Sequence, residues 1–282
     1  MTNRKEEIRN LLNLTPETII SKAGKHLVVV KNLKILHQHL AESIAKEVVE
    51  NNEFGRNTRL ILPVGPTGQY PILVKIFNKL KISLKNCWFF FMDEYCDDEG
   101  KALSSQHPLS FKGVINTMFL NELDESLGLD QNRVIFPDEH NITELSKKID
   151  DLGGIETCYG GIGIHGHLAF NEPEANVSKS EPRKVKLNDY TITINAIRAN
   201  IGGNLENFPR HAYTLGMRQI LDSRKIRLYC RNGISFDWAN SILRISLLGR
   251  PGDDYPVTHI RGHPDYEIIT DRDTISTPKF II

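Results

Sequence analysis

The sequence carries no excess of charge. Its 35 lysines and arginines equal its 35 aspartates and glutamates, so no global field draws the chain to nucleic acid or to an anionic membrane. Any anion must be bound locally. Cysteine is scarce: Cys87, Cys96, Cys158 and Cys230 are the only four in 282 residues. Their spacing suits neither a disulfide scaffold nor a zinc site, and reduced thiols in a cytosol are expected. No stretch approaches about 18 uninterrupted apolar residues, and the opening Met-Thr-Asn-Arg-Lys-Glu-Glu-Ile lacks the apolar core of a signal peptide. A soluble, cytoplasmic protein is therefore expected, with neither membrane nor nucleic acid as partner. Repeats, low-complexity tracts and Pro/Ser-rich linkers are also missing. The hydrophobic content of 40% is ample for a buried core. Residues 1–25 read as a polar N-terminal helical extension, and 26–282 as one domain.

What is present is an alternation of two periods. Short apolar or β-branched runs at His26–Val30, Arg59–Pro63, Cys87–Met92, Val134–Phe136, Cys158–Ile164, Ala212–Leu215, Lys225–Cys230, Val257–Ile260 and Tyr266–Thr270 predict strands. Between them Leu33–Asn51, Tyr70–Leu80, Ser110–Leu120, Ile142–Leu152 and Phe236–Leu248 follow a helical period. The pattern predicts an α/β fold: a three-layer, Rossmann-like, mostly parallel open sheet with helices on both faces.

Three polar clusters stand just after strand ends, where open parallel sheets place their ligands. The first is Gly65-Pro66-Thr67-Gly68, between a strand and a helix, where backbone N–H groups and the helix dipole favour a phosphate. It lacks the Gly-Lys-Ser/Thr ending of a P-loop. The second is Asp93-Glu94, two carboxylates ending the apolar run Phe90-Phe91-Met92. Such burial is costly unless the groups are paired, solvated or functional, and a desolvated carboxylate can act as a base. The third, Gly160-Gly161-Ile162-Gly163-Ile164-His165-Gly166-His167-Leu168-Ala169-Phe170-Asn171-Glu172-Pro173, sets two histidines and a carboxylate on a glycine-rich turn. A histidine there can take and return a proton near neutral pH.

Together these motifs resemble the glucosamine-6-phosphate deaminase/isomerase family, which is related to the 6-phosphogluconolactonases. The third cluster matches Gly-x-Gly-x-Asp-Gly-His-x-Ala-Phe-Asn-Glu-Pro, Met92-Asp93-Glu94-Tyr95 matches Met-Asp-Glu-Tyr, and His107-Pro108-Leu109-Ser110 echoes His-Pro-x-Ser. The resemblance covers roughly residues 26–275. It implies that Asp93 moves a proton between C2 and C1 of an open-chain sugar, with Glu94 in support. It also implies that His167 opens the pyranose ring, that Glu172 orients this histidine, and that Gly65, Pro66, Thr67 and Gly68 hold the phosphate.

The departures are as informative. His165 stands where the family has an aspartate; an imidazole cannot supply that negative charge. It is open to donating to substrate, to serving as a second base with Glu172, or to marking loss of the ancestral reaction. His165 and His167 also form a His-x-His spacing able to ligate a metal, yet no further ligand cluster is evident in the sequence and the resemblance implies metal-free chemistry. No metal and no cofactor is expected. Val64 replaces a hydroxyl residue of the phosphate loop, and Pro66 a glycine, which removes a donor. The family's Asp-Thr-Arg and Gly-x-x-Lys cations are also absent, Asp189-Tyr190-Thr191 and Arg231-Asn232-Gly233-Ile234 standing at those places. Arg198, Arg218 and Arg231 are candidate replacements, Arg218 and Arg231 foremost.

The reading is a metal-independent sugar-phosphate isomerase or deaminase, converting an amino-hexose 6-phosphate such as glucosamine 6-phosphate to a ketose phosphate with release of ammonia. A 6-phosphogluconolactonase-like hydrolase and a non-catalytic sugar-phosphate sensor are the alternatives. Members of the family are hexameric in some branches and monomeric in others, so a homo-oligomer is open.

Overall fold

The computed structural model describes residues 3–232 and 238–282. Seven strands form one parallel sheet: β1 (Leu27–Val30), β2 (Thr58–Leu62), β3 (Cys87–Phe91), β5 (Val134–Ile135), β6 (Thr157–Gly161), β9 (Lys225–Tyr229) and β10 (Tyr266–Asp271). Their order is β1-β10-β9-β6-β2-β3-β5. The chain runs from β2 outward to β3 and β5, then returns to the other side of β2 with β6. The switch point therefore lies between β2 and β6, where open sheets leave a crevice beyond the strands' carboxyl ends.

Alternate side chains of the central strands feed two cores. Ile61, Phe90 and Cys158 join one that includes α2 (Pro16–Ala23), α6 (Leu145–Asp151), α8 (Met217–Leu221) and α9 (Ala239–Leu248). Leu60, Leu62, Phe89, Phe91 and Tyr159 join the other, beneath α3 (Leu33–Glu53), α4 (Tyr70–Leu80) and α5 (Phe111–Met118). Strands buried on both faces read as continuous apolar runs, as Cys87–Phe91 does. Helix starts are marked by side-chain oxygens: Thr15, Asn32 and Ser110 accept from the backbone N–H groups of Thr18, Ile35 and Gly113. The extension predicted over 1–25 contains α1 (Arg4–Leu12) and α2, both packed against α9. Among the described residues no helix is long and apolar enough to cross a membrane.

The structure departs from the sequence reading in three places. A second, antiparallel sheet of order β4-β8-β7 joins β4 (Asp93–Cys96), β8 (His211–Thr214) and β7 (Arg183–Lys186). Its strand β7 is too charged to read as one. Asp189–Arg198, whose Tyr-Thr-Ile-Thr-Ile run alternates like a strand, is a helix, α7, capped by Asn188. Val257–Ile260, predicted as a strand, lies within the 3-10 helix Pro256–Gly262. Pro256 opens it, and the Val257 N–H bonds the Gly166 carbonyl rather than a strand partner. The predicted helix start at Phe236 falls outside the described residues. All four cysteines are buried and unpaired.

Candidate active site

Four neighbouring strands, β9, β6, β2 and β3, end at one side of the sheet, and the segments that follow them enclose a cavity of about 350 Å³. After β2 come Pro63–Thr67, after β3 Met92 and Asp93, after β6 Ile162, Gly163 and His167, and after β9 Arg231. Helix α7 adds Asn195 and Arg198, and Trp238 closes a further side. Two glycines allow the approach. A Cβ on Gly161 would stand 2.4 Å from the Gly65 carbonyl, and one on Gly163 would stand 1.9 Å from Nε2 of His167. The glycine pattern thus serves close packing of β6 against the β2 loop and the histidine.

Asp93 begins β4, where Met92 ties both sheets together: its N–H donates to Leu62 and its carbonyl accepts from Leu215. Asp93 is 7% exposed, and its carboxyl receives no hydrogen bond from the described residues. Burial, aided by the neighbouring Glu94 charge, pushes its pKa up to about 8. Glu94, by contrast, points away from the cavity. Its carboxylate accepts from the N–H groups of Tyr95, Phe111 and Lys112 and from the Ser110 hydroxyl. It caps α5, which also explains why a serine follows His107-Pro108-Leu109. Burial holds Glu94 above its ordinary range despite these donors.

The signature loop is held by Asn171. Its amide donates to the Leu168 and Leu215 carbonyls, and its oxygen accepts from Ser180 and Arg183. On this frame His167 Nδ1 lies 3.1 Å from His165 Nδ1. His165 Nε2 lies 2.7 Å from the Asn188 amide nitrogen and 3.9 Å from Glu172 Oε1. The other Glu172 oxygen accepts from the Asn188 N–H, whereas Oε1 is buried without a hydrogen-bond partner among the described residues. Burial lowers the pKa of both histidines, that of His167 well below its ordinary value with His165 and Arg198 adding repulsion; burial raises that of Glu172. His165 and Glu172 stand behind His167, away from the cavity wall.

His165, His167 and Glu172 do converge as three groups of metal-ligating type, a cluster not evident from the sequence spacing. The hydrogen bonding around His165 fits a metal poorly. Its Nε2 is occupied by the Asn188 amide, and metallation of Nδ1 would leave an Nε2–H facing that same donor.

Arg218 is a correction. It lies outside the cavity, in ion pairs with Asp150, Glu181 and Asp222 on the α8 surface, because the polar face of α8 turns toward these carboxylates. Arg231 lines the cavity, and so does Arg198, which the sequence reading ranked below Arg218. Neither makes an ion pair among the described residues; desolvation lowers the pKa of both, with the other guanidinium adding repulsion at Arg198 and the Asp271 carboxylate partly offsetting the effect at Arg231. Arg198 stacks over the Trp238 ring, 5.4 Å from its centre. Recognising Asn188-Asp189 as a helix start would have placed Arg198 in the last turn of α7, at the cavity rim. Gly65, Pro66 and Thr67 line the cavity, but Gly68 faces His37, whose ring leaves no room for a side chain.

Two guanidiniums without an ion pair among the described residues, a buried acid and a histidine thus share one cavity at the switch point. A glucosamine-6-phosphate deaminase of Caenorhabditis elegans is 31% identical over 204 residues, 72% of this chain and 74% of that protein. The chain belongs to the glucosamine-6-phosphate deaminase family. A glucosamine-6-phosphate deaminase of Clostridium perfringens strain 13 is 26% identical over 263 residues, covering 90% of this chain and 99% of its own length. Among solved structures, a monomeric glucosamine-6-phosphate deaminase superposes with a TM-score of 0.77 at 26% identity, over 89% of this chain and 99% of the other. The 6-phosphogluconolactonase of Thermotoga maritima shares the fold, with a TM-score of 0.64 at 13% identity, over 87% of this chain and 99% of the other. No protein-family model matches the chain. As a member of the deaminase family the chain is an enzyme of the sugar-phosphate deaminase/isomerase type.

Proposed function

We propose that this deaminase-family enzyme acts on an amino-hexose 6-phosphate, glucosamine 6-phosphate in the first instance, giving a ketose phosphate and ammonia. The observation that carries the reading is the pairing, within one cavity, of Asp93 with Arg198 and Arg231. A phosphate dianion answers two guanidiniums that line one cavity and make no ion pair among the described residues. With the phosphate held there, the other end of a hexose extends toward Asp93.

The chemistry balances with no group beyond the acid, water and the substrate itself. Ionised Asp93 takes the C2 proton of the open-chain aldehyde, and the freed electron pair forms the C1–C2 double bond while the carbonyl pair moves to O1. The substrate's ammonium group passes a proton to O1, leaving an enolamine. Protonated Asp93 returns its proton to C1, giving an iminium at C2, and water converts this to the ketone with release of ammonium. Proton transfer by a positioned carboxylate supplies typically ~10²–10⁴-fold of the acceleration.

The test is incubation with glucosamine 6-phosphate in deuterated water, following ammonium release and deuterium at C1 and C2 by NMR. Ammonium with labelled product supports the reading. Hydrolysis of 6-phosphogluconolactone without either signal would replace it by a lactonase, and binding of sugar phosphates without turnover would replace it by a sensor.

A further inference from the structure

The closest hydrogen bonds behind His167 run in one direction, and the Thr191 hydroxyl, 3.4 Å from His165 Nε2, can donate to that nitrogen as well. Asn188 caps α7, and its Oδ1 accepts from the Thr191 N–H at 3.0 Å. That bond fixes the amide, so its NH₂ is the group 2.7 Å from His165 Nε2. An NH₂ can only donate, so Nε2 accepts. Neutral His165 then carries its proton on Nδ1 and donates it to His167 Nδ1, 3.1 Å away. His167 Nδ1 in turn accepts, leaving its own proton on Nε2, the nitrogen packed over Gly163 on the cavity wall.

We infer that Asn188 and His165 are positioning residues that lock His167 in its Nε2–H tautomer, so that it meets the substrate as a neutral hydrogen-bond donor rather than as a base. The inference rests on the proposed function and specifies what the histidine does within it. As the C2–H bond breaks toward Asp93 and charge moves onto O1, an imidazole N–H aimed at that oxygen stabilises it without transferring a proton. Burial lowers the basicity of both rings, which favours the neutral form of the pair. A carboxylate at position 165 would act oppositely: it could only accept, would draw the His167 proton to Nδ1, and would leave Nε2 as a free base. Ring opening of a pyranose requires a proton to leave O1 as another reaches the ring oxygen. A locked donor serves the second half of that exchange and not the first, so the open-chain sugar is the form this enzyme uses.

Two-bond ¹⁵N–¹H correlation spectra of the ¹⁵N-labelled wild-type protein at a pH where both rings are neutral read the tautomers directly. Expected are a protonated Nε2 on His167 and a protonated Nδ1 on His165, the rarer form of a free imidazole. Asn188→Ser keeps a capping oxygen for Thr191 but cannot reach His165, and both rings should then show mixed tautomers. In His165→Asp the His167 proton should move to Nδ1. With glucosamine 6-phosphate, the wild-type rate should level off with rising enzyme at the rate of spontaneous ring opening, whereas His165→Asp should stay proportional to enzyme. A wild-type His167 protonated at Nδ1 overturns the lock, whatever the activity. A correct tautomer with a wild-type rate strictly proportional to enzyme overturns the open-chain assignment. Correct tautomers in a protein that releases no ammonium leave the lock standing and sink the proposed reaction instead, so the two failures are distinguishable.

Discussion

Asp93 sits where a charge is costly, and that cost makes two opposite forecasts for one substitution. Its pKa is raised to about 8 by burial and by Glu94. A base must be ionised to work, so kcat/KM, corrected for the substrate's own ionisation, should climb with pH and flatten above about 8. Asp93→Asn should lower kcat by at least about 10²-fold, and an asparagine enzyme of near-normal rate would remove Asp93 from the chemistry. For stability the sign reverses. Between the unfolded and folded pKa values the native state holds a proton that the unfolded chain has lost, so stability falls as pH rises from about 4 to 8. Asparagine escapes this loss. The variant should match the wild type near pH 4 and exceed it above pH 8, by on the order of 2–5 kcal/mol, the lower figure allowing for water in the cavity. Denaturant melts at the two pH values measure it. Arg198 and Arg231 have their own signature: replacing either by alanine should raise KM for a 6-phosphate at least about 10-fold, and a sugar lacking the phosphate should lose the difference between variant and wild type.

At the level of whole elements, Glu94 shows why two adjacent carboxylates need not share a role. Strand alternation sends Asp93 to the cavity side and Glu94 to the start of α5, where four donors and the helix dipole meet it. Glu94→Gln should cost about 2–4 kcal/mol, since an amide NH₂ would confront the Phe111 or Lys112 N–H. It should also relieve Asp93 of a like charge and move the acid limb of kcat/KM to lower pH while the plateau of kcat persists. A lost plateau with an intact fold would make Glu94 a direct participant. The same logic marks what the sequence could tell. Apolar strands such as Cys87–Phe91 and the turns after them are legible because burial on both faces leaves a continuous run, and the glycines before His165 announce close packing. Strand β7 and helix α7 are not. The charged alternation of Arg183–Lys186 belongs to the rim of a small sheet, and the β-branched residues of Asp189–Arg198 are held helical by a cap and by packing of Ile192 and Ala196 beside Tyr95 and Phe170. Because that helix was unread, Arg198 was placed behind Arg218, two of whose partners, Asp150 and Glu181, lie far from it in sequence.

Across the whole molecule, residues 1–25 stand apart in sequence, and we read them as an extension that braces the sheet rather than as part of the site. Ile19 and Ala23 are buried in the core beneath α9, and Arg4 bonds Asp254 while Glu7 accepts from the Arg250 N–H. Arg244 of α9 ties the arrangement together: fully buried, it donates to the Leu14, Asn240 and Ile275 carbonyls, so N-terminal segment, α9 and C-terminal segment meet on one guanidinium. Burial lowers its pKa, and its Nε has no hydrogen-bond partner among the described residues. Removing residues 1–23 would uncover the Ile19 pocket, forfeiting about 2 kcal/mol of apolar burial, and would take one carbonyl from Arg244 at about 1–3 kcal/mol. For a chain of this size that corresponds to a Tm lower by about 5–9 °C. None of the cavity-lining residues comes from these two helices, so kcat and KM at low temperature should stay within about 2-fold of wild type, a change worth under about 0.5 kcal/mol. Thermal melts beside steady-state kinetics decide the matter: a truncated protein that melts normally but loses activity would bring the extension into the site, and one that melts low yet turns over normally would confirm it as a brace.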